Sequence, residues 1–184
     1  VRAIKKRNPH ILLGQYTVLV EAYDNLADSR ADKDVYFKLR KEGWWLRNVT
    51  GQMVQMSKQY GTSVVNITEH TKTDNQGLRY PQWLAGRDYR IYFELAPEFD
   101  IWFFDLVNYQ PRVVADWNLD GRDDDPKNRS VAEAYRKSQV AHWDAVRALA
   151  PTRLLLGNAD NDLGYDEFRN KLGGVFFEAL MGKN

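Results

Sequence analysis

The chain has 184 residues, no cysteine and a formal net charge of +1 from 26 basic and 25 acidic residues. The lack of cysteine excludes disulfides and thiolate metal sites, and the balanced charge gives no reason to expect a nucleic-acid partner. No apolar run approaches the roughly 18 residues that span a membrane, so we expect no membrane span, and the length suits one domain over residues 1–184.

Apolar segments alternate along the chain with segments of helical periodicity. Residues 11–16 predict a buried strand, and Asp28 or Ser29 is the candidate cap of a helix that ends at Gly43. Residues 63–68 are rich in β-branched side chains and predict a second strand, followed by a helix from residue 81 to about residue 95. Residues 100–107 predict a third strand.

The same alternation continues in the second half of the chain. Ser130 and Glu133 have the spacing of a capping box, which predicts the start of a helix that ends before Pro151. Residues 153–158 predict a fourth strand, residues 165–172 a short helix, and residues 175–180 a fifth strand. Strands that are apolar on both faces and separated by helices indicate a parallel sheet covered by helices.

Two folds fit this order of elements, a doubly wound open sheet and a (β/α)-barrel. No Gly-rich phosphate-binding motif follows a strand, which weakens the nucleotide-binding version of the open sheet. A complete barrel has eight strands and usually about 250 residues, whereas five strands are predicted here. We therefore predict an α/β fold based on a parallel-sheet (β/α)-barrel of TIM type that lacks terminal strands. A partner subunit or further segments would then complete it.

Each predicted strand ends with polar residues. In a parallel sheet, these positions meet at one edge, where binding and catalytic groups gather. The set consists of Gln15, Asn66, Asp105 with Asn108, Asn158 with Asp160, and Glu178.

Asp105 and Glu178 are the carboxylates in the most apolar strands. Phe104 precedes Asp105, and Phe177 precedes Glu178. A carboxylate held against aromatic surface loses hydration, so its pKa tends to rise and it can protonate a leaving group. An ionised partner can attack an anomeric carbon or activate water. The alternative is that either acid caps a helix or pairs with an arginine.

An acidic loop has the opening spacing of a calcium loop, with oxygen ligands at alternate positions followed by a glycine. The candidate ligands are Asp116, Asn118, Asp120 and Asp124. Such oxygens suit a hard cation, and a structural Ca²⁺ is one interpretation. The twelfth position is lysine where an EF-hand needs glutamate, so the loop is not a standard EF-hand. A turn that binds its own backbone, or acids that contact substrate, are the alternatives. We expect no other cofactor.

The order of several short motifs resembles the glycosyl hydrolases of the GHL15 type, relatives of the endo-α-1,4-polygalactosaminidase-like barrels. The resemblance runs over nearly all of the chain and rests on Tyr16, Trp44–Asn48, Asn66–Thr68, Trp102–Asp105, Asp116–Gly121, Leu155–Asn158 and Gly174–Glu178. It implies a TIM-like barrel that acts on an extracellular or cell-surface polysaccharide. It also implies that Asp105 is a strand-four nucleophile and Glu178 a strand-six proton donor.

The leading hypothesis is a glycoside hydrolase that uses Asp105 and Glu178. The residues that would hold its substrate are Gln15, Tyr16, Asn66, Asn108, Asn158, Asp160 and Trp117. The rings of Tyr16 and Trp117 would do so by stacking on a sugar ring. Packing beneath a loop is the alternative for any ring. A separation of about 5–5.5 Å between the two carboxyls predicts retention, and 6.5–9.5 Å predicts inversion. The alternative functions are a non-catalytic glycan-binding or structural subunit and an α/β protein that binds a small metabolite.

Overall fold

Two sheets organise the chain in a computed structural model, which describes residues 1–159, 165–176 and 178. The helices are α1 Arg2–Arg7, α2 Lys33–Glu42, α3 Tyr80–Asp88 and α4 Arg129–Leu149, and a π-helix, Tyr89–Glu94, continues α3. The strands are β1 Gly14–Val18, β2 Glu21–Tyr23, β3 Gln55–Ser57, β4 Thr62–Val64, β5 Ile101–Asp105, β6 Leu154–Asn158 and β7 Gly174–Phe176. A parallel sheet has the order β1-β5-β6-β7, and a second sheet has the order β2-β4-β3.

The chain groups into two compact units. Unit 1 comprises Val1–Thr17, Gln82–Asn108 and Val140–Asn184, and holds nearly all of the parallel sheet. Unit 2 comprises Val18–Pro81 and Tyr109–Gln139, and holds the antiparallel sheet. No helix in the described ranges is long and apolar enough to cross a membrane.

The parallel sheet of unit 1 has one buried face. Along β5, buried and half-buried residues alternate, because successive side chains of a strand point to opposite faces. Trp102 and Phe104 form the buried layer, and Phe104 packs edge-on against His142 of α4 with ring centroids 5.6 Å apart. The other face carries Phe103 and Asp105, which are half-buried.

The π-helix, Tyr89–Glu94, carries an aromatic ring into the same core. Phe93 is 2% exposed and stacks on Trp102, with centroids 4.2 Å apart and ring planes 18° from parallel. The indole N–H of Trp102 in turn donates to Oγ1 of Thr17 over 2.9 Å. These contacts join the helix to two neighbouring strands of the sheet.

α1 was not expected from the sequence. No residue of this helix is buried, so it carries no apolar face for a periodicity argument to find. Instead, Nζ of Lys5 lies 2.6 Å from Oδ2 of Asp100, which also accepts the N–H of Leu13 at 2.9 Å. The hydrogen bond from Lys5, followed by that from Leu13, lowers the pKa of Asp100.

Unit 2 has a nearly buried ion cluster. The side chain of Asp74 is 0% exposed, and Nζ of Lys38 contacts it at 2.7 Å and Glu42 at 3.1 Å. Oδ1 of Asp74 also accepts the backbone N–H groups of Gln76 and Leu78, each over 2.9 Å. Burial would raise the pKa of Asp74, but the hydrogen bonds from Lys38 and the backbone outweigh it, and the net shift is downward.

The strand predictions hold for β5 and β6, and partly for the others. β1 starts at Gly14 rather than at residue 11, and β7 begins at Gly174, with residues 177 and 179–184 outside the described ranges. Residues 63–68 were wrongly predicted as a strand of the parallel sheet. β4 is instead the middle strand of the antiparallel sheet, paired with β2 and β3. Closure into a barrel, and a single domain, stay predictions.

The prediction of a helix from residue 81 to about 95 matches α3 with its π-helix, Tyr80–Glu94, at both ends, whereas α2 and α4 were predicted better at their ends than at their starts. Gly43 ends α2 in the left-handed conformation, with φ of 70°, and α4 ends two residues before Pro151, as expected. The capping predictions are wrong. Asp28 pairs with Arg30 at 2.6 Å. At the start of α4, Oδ1 of Asn128 accepts the backbone N–H of Ser130, so the capping side chain is that of Asn128 and not that of Ser130.

Two further predictions in the second half of the chain did not hold. Glu133 pairs with Arg129 at 2.7 Å rather than completing a capping box. Residues 165–172 form successive turns and no regular helix.

Candidate active site

Four predicted site residues meet at one end of the parallel sheet in unit 1. Nδ2 of Asn158 lies 2.8 Å from Oδ1 of Asp105 and 3.0 Å from Oε2 of Glu178. The hydroxyl of Tyr16 donates to Oδ2 of Asp105 over 2.5 Å. Asp105 and Asn158 are the last residues of β5 and β6, which are adjacent and parallel. Glu178 comes two residues after the end of β7, the strand on the other side of β6. Parallel pairing therefore brings the two carboxylates to the same edge.

Among the described residues, three donors give hydrogen bonds to Asp105. Besides Tyr16 and Asn158, the backbone N–H of Leu106 donates to Oδ1 of Asp105 over 2.8 Å. Leu106 has a φ of 55°, a left-handed conformation that costs a residue with a Cβ roughly 1–2 kcal/mol. This turn, directly after the strand, aims a backbone donor back at the carboxylate. Donors to an ionised carboxylate form charge-assisted bonds, which stabilise its negative charge.

The distances around Asn158 limit the separation of the two acids. The two bonds of 2.8 and 3.0 Å share one nitrogen, so the bonded oxygens of Asp105 and Glu178 are at most 5.8 Å apart. A planar amide directs its two N–H bonds about 120° apart, which gives a separation of about 5 Å when each bond points at one acid. Both values lie below the separations typical of inverting glycosidases.

Aromatic rings lie beside the carboxylates on the half-exposed face of the sheet. Tyr16 stacks on Phe103 at 5.9 Å, and Phe176 meets Phe103 edge-on at the same distance. Tyr16 and Phe176 are 54% and 49% exposed. Such rings offer apolar surface with, in tyrosine, a polar end. Phe103 and Phe176 were not among the predicted site residues, although strand alternation places Phe103 on the face of Asp105.

The remaining predicted residues of unit 1 are directed elsewhere or lie outside the described ranges. The amide nitrogen of Gln15 donates to the carbonyl of Tyr16 over 2.9 Å, and that of Asn108 donates to the carbonyl of Leu106 over 2.8 Å. Asn108 thus braces the turn that follows Asp105. Asp160 lies outside the described residues.

Asn66 and Trp117 belong to unit 2 and contact each other. Asn66 is 1% exposed and donates to the carbonyl of Trp117 over 3.0 Å, while its Oδ1 accepts the hydroxyl of Thr68 over 2.7 Å. Trp117 is also 1% exposed, and its indole N–H donates to the carbonyl of Val113 over 3.0 Å. These contacts fit the packing alternative for Trp117 better than a stacking platform for sugar.

The acidic loop binds its own backbone. Asp116 accepts the N–H groups of Asp120 and Gly121 at 3.0 and 3.1 Å, and Asp124 accepts those of Trp117 and Asn118 at 3.0 and 3.2 Å. In the part of the chain that the structure describes, no group of three or more His, Asp or Glu side chains could hold a metal ion. The loop therefore follows the turn alternative, and Ca²⁺ binding stays a prediction.

Comparisons with known proteins find similar structures but no similar sequence. No protein-family model matches the chain, and no curated protein matches it. The GH36 α-galactosidase of Geobacillus stearothermophilus, solved with stachyose, is similar with a TM-score of 0.59 at 10% identity. That match covers 95% of this chain and 21% of the enzyme. The α-galactosidase of Thermus thermophilus, also solved with stachyose, is similar with a TM-score of 0.54 at 14% identity. This match covers 95% of this chain and 30% of the enzyme.

The chain thus spans between about a fifth and a third of the length of these enzymes. Identities this low carry information on the fold and none on the reaction. The chain therefore has a glycosidase-like fold, an α/β arrangement with a parallel four-stranded sheet that is similar to one part of GH36 α-galactosidases.

Proposed function

We propose that the chain carries the catalytic carboxylates of a retaining glycoside hydrolase, with Asp105 as the nucleophile and Glu178 as the acid and base. The observation that carries the proposal is the amide of Asn158, which bonds both acids and holds their oxygens within 5.8 Å. A short separation of the two carboxyls favours direct attack by one of them, as in retaining enzymes, over the wider spacing that holds a water molecule in inverting ones.

The two acids differ in their surroundings, and the difference supports their assignment. A nucleophile has to act as a carboxylate, and Asp105 has three donors directed at it. Glu178 is exposed, and among the described residues Asn158 donates a hydrogen bond to it. The acid and base transfers a proton twice in each cycle, first to the glycosidic oxygen and then from water, and an exposed carboxyl is accessible to that water.

The reaction then has two steps. Asp105 attacks the anomeric carbon while protonated Glu178 donates its proton to the glycosidic oxygen, so the C–O bond breaks and a glycosyl ester of Asp105 forms. In the second step, the Glu178 carboxylate takes a proton from water. The resulting oxygen attacks the anomeric carbon, which frees the Asp105 carboxylate and the sugar with its original configuration.

The substrate remains part of the proposal. The similar structures hold stachyose, so an α-galactoside is the first substrate to test. The resemblance to the GHL15 type favours a polysaccharide outside the cell or at its surface. The exposed rings of Tyr16 and Phe176 lie beside the acids and would take the apolar face of a sugar ring.

Hydrolysis of para-nitrophenyl glycosides, beginning with the α-galactoside, tests the proposal. Asp105→Asn and Glu178→Gln should each lower kcat by about 10³-fold or more. Asp166→Asn is the matched control, because Asp166 is exposed and pairs with Arg169 at the surface. Its rate should equal that of the wild type.

The anomer of the first product, observed by proton NMR, tests the stereochemistry. Retention is expected. An inverted product would reject the nucleophilic role of Asp105. If the wild-type chain binds oligosaccharides but hydrolyses none of the aryl glycosides, the non-catalytic alternative replaces the enzyme.

A further inference from the structure

We propose that Asn158 is a positioning residue whose single side-chain nitrogen sets the distance between Asp105 and Glu178. This inference rests on the proposed function and names the group that controls its geometry. Asn158 was expected from the sequence to bind substrate, a role that its contacts do not favour.

The place of Asn158 in the sheet explains why it reaches both acids. β6 lies between β5 and β7, and Asn158, its last residue, pairs with Phe176 two positions before Glu178. On its other side, Gly157 pairs with Phe104, one position before Asp105. The side chain at the end of this central strand is therefore flanked by the two strands that lead to the acids.

The contacts also determine which way the amide faces. With Nδ2 toward the two acids, its N–H bonds meet a carboxyl oxygen of Asp105 at 2.8 Å and one of Glu178 at 3.0 Å. The reversed amide would put its oxygen against the carboxylate of Asp105. In the orientation observed, Oδ1 of Asn158 is buried and has no hydrogen-bond partner among the residues that the structure describes. The amide therefore makes both N–H bonds to the acids while its carbonyl oxygen stays unsatisfied.

These contacts leave no atom of the amide for a sugar. Both N–H bonds are directed at the carboxylates, and Oδ1 is out of reach of solvent. The chemistry of the residue fits the role. A serine at this position has one donor, an aspartate adds a third negative charge, and an asparagine has two donors on one planar nitrogen.

Steady-state kinetics of Asn158→Ala and Asn158→Asp separate positioning from substrate binding. If Asn158 positions the acids, kcat of Asn158→Ala should fall about 10²-fold, because small displacements of reacting groups cost about that much, while KM changes less than about threefold. The loss should be at least as large for an unactivated glycoside as for an activated aryl glycoside, since both acids are displaced and an unactivated leaving group needs the proton of Glu178 more. Asn158→Asp should lose at least as much.

The matched control is Asn8→Ala, since Asn8 is exposed and, among the described residues, its side chain accepts the N–H of His10 in a turn, over 3.2 Å. This variant should match the wild type. Raised KM with unchanged kcat in Asn158→Ala would overturn positioning in favour of substrate binding. Unchanged kcat and KM would overturn both roles of Asn158, positioning and substrate binding. If Asp105→Asn is nevertheless inactive, the proposed function stands without this inference.

NMR of the Asn158 side-chain amide provides a test that does not depend on activity. One amide proton should shift in Asp105→Ala and the other in Glu178→Ala, because each proton points to one acid. If neither acid variant moves the amide signals, the shared donor is rejected. If the signals move as expected but no glycoside is hydrolysed, the geometry stands and the catalytic function fails.

Discussion

Replacing Asp74 with alanine should destabilise the protein strongly, although Asp74 lies outside the candidate active site. Its side chain is fully buried, and the variant leaves the ammonium of Lys38 without its contact at 2.7 Å. Two backbone N–H groups, of Gln76 and Leu78, lose their acceptor as well. Breaking a buried ion pair by removing one partner typically costs about 3–5 kcal/mol.

The lower end of that range applies here. Lys38 keeps Glu42 at 3.1 Å, and its side chain is 15% exposed, so part of its charge remains compensated. We therefore expect Asp74→Ala to lower the free energy of unfolding by about 3 kcal/mol. Asp74→Asn keeps an oxygen for the backbone donors and should cost about 1–2 kcal/mol. Urea denaturation followed by circular dichroism measures both.

The pH dependence of the same difference supplies a second check. The pKa of Asp74 is lowered from 3.8, so its stabilising charge is fully present above about pH 4. It is lost as the pH falls through the lowered value. Wild type and Asp74→Asn should therefore differ by a constant amount between pH 5 and 8 and converge below pH 4. Lys38, whose pKa is raised despite burial by its bonds to Asp74 and Glu42, adds a contribution that is lost only above its ordinary range.

The control for these experiments is Glu133→Ala. Glu133 forms a surface pair with Arg129, one turn apart on α4, and its removal should leave the denaturation midpoint nearly unchanged. A cost below about 1 kcal/mol for Asp74→Ala would refute the reasoning, because it would mean that the buried pair does not compensate Lys38.

Three further predictions concern single contacts. Tyr16→Phe removes the hydroxyl that donates to Asp105, so kcat should fall about tenfold with little change in KM; an unchanged kcat contradicts the role of this bond. Gly43→Ala should lower the free energy of unfolding by about 1 kcal/mol through its left-handed φ of 70° alone, since no atom lies within 4 Å of the added Cβ, and a neutral result in thermal melting contradicts this. Asp124→Ala leaves the N–H of Trp117 without its side-chain acceptor and should cost about 1–3 kcal/mol in urea denaturation, whereas an unchanged midpoint contradicts a structural role; melting of the wild type with CaCl₂ or EDTA tests the calcium prediction separately.

The parallel strands could be predicted because their signal is local. In β5 and β6, runs of large apolar residues end in Asp105 and Asn158, and parallel pairing brings such ends to one edge. This rule predicted that Asp105 and Glu178 lie at the same edge of the sheet. The α/β fold with a parallel sheet, at this coarse level, is confirmed.

Other features depend on contacts that no local pattern encodes. Residues 63–68 are as β-branched as a buried parallel strand, but β4 pairs with β2 and β3, strands of three residues each that are too short to show a period. α1 is attached by the ion pair of Lys5 with Asp100, which are far apart in sequence. The role of Asn158 also depends on a neighbour, because sharing one nitrogen between two acids requires the order of strands in the sheet.

The π-helix between Tyr89 and Glu94 has a consequence for how this chain tolerates changes in length. A π turn holds more residues than an α turn, so removing one residue there would let the segment revert to an ordinary α-helix. That deletion would keep the preceding helix in its present rotation, whereas one residue removed from α3 itself would rotate the residues before it by about 100° relative to the sheet. Phe93 would then leave its stack on Trp102, or α3 would have to turn its other side inward. We therefore expect a one-residue deletion within Tyr89–Glu94 to be tolerated better than one within α3, because the π turn can lose a residue without changing which side of the helix faces the sheet.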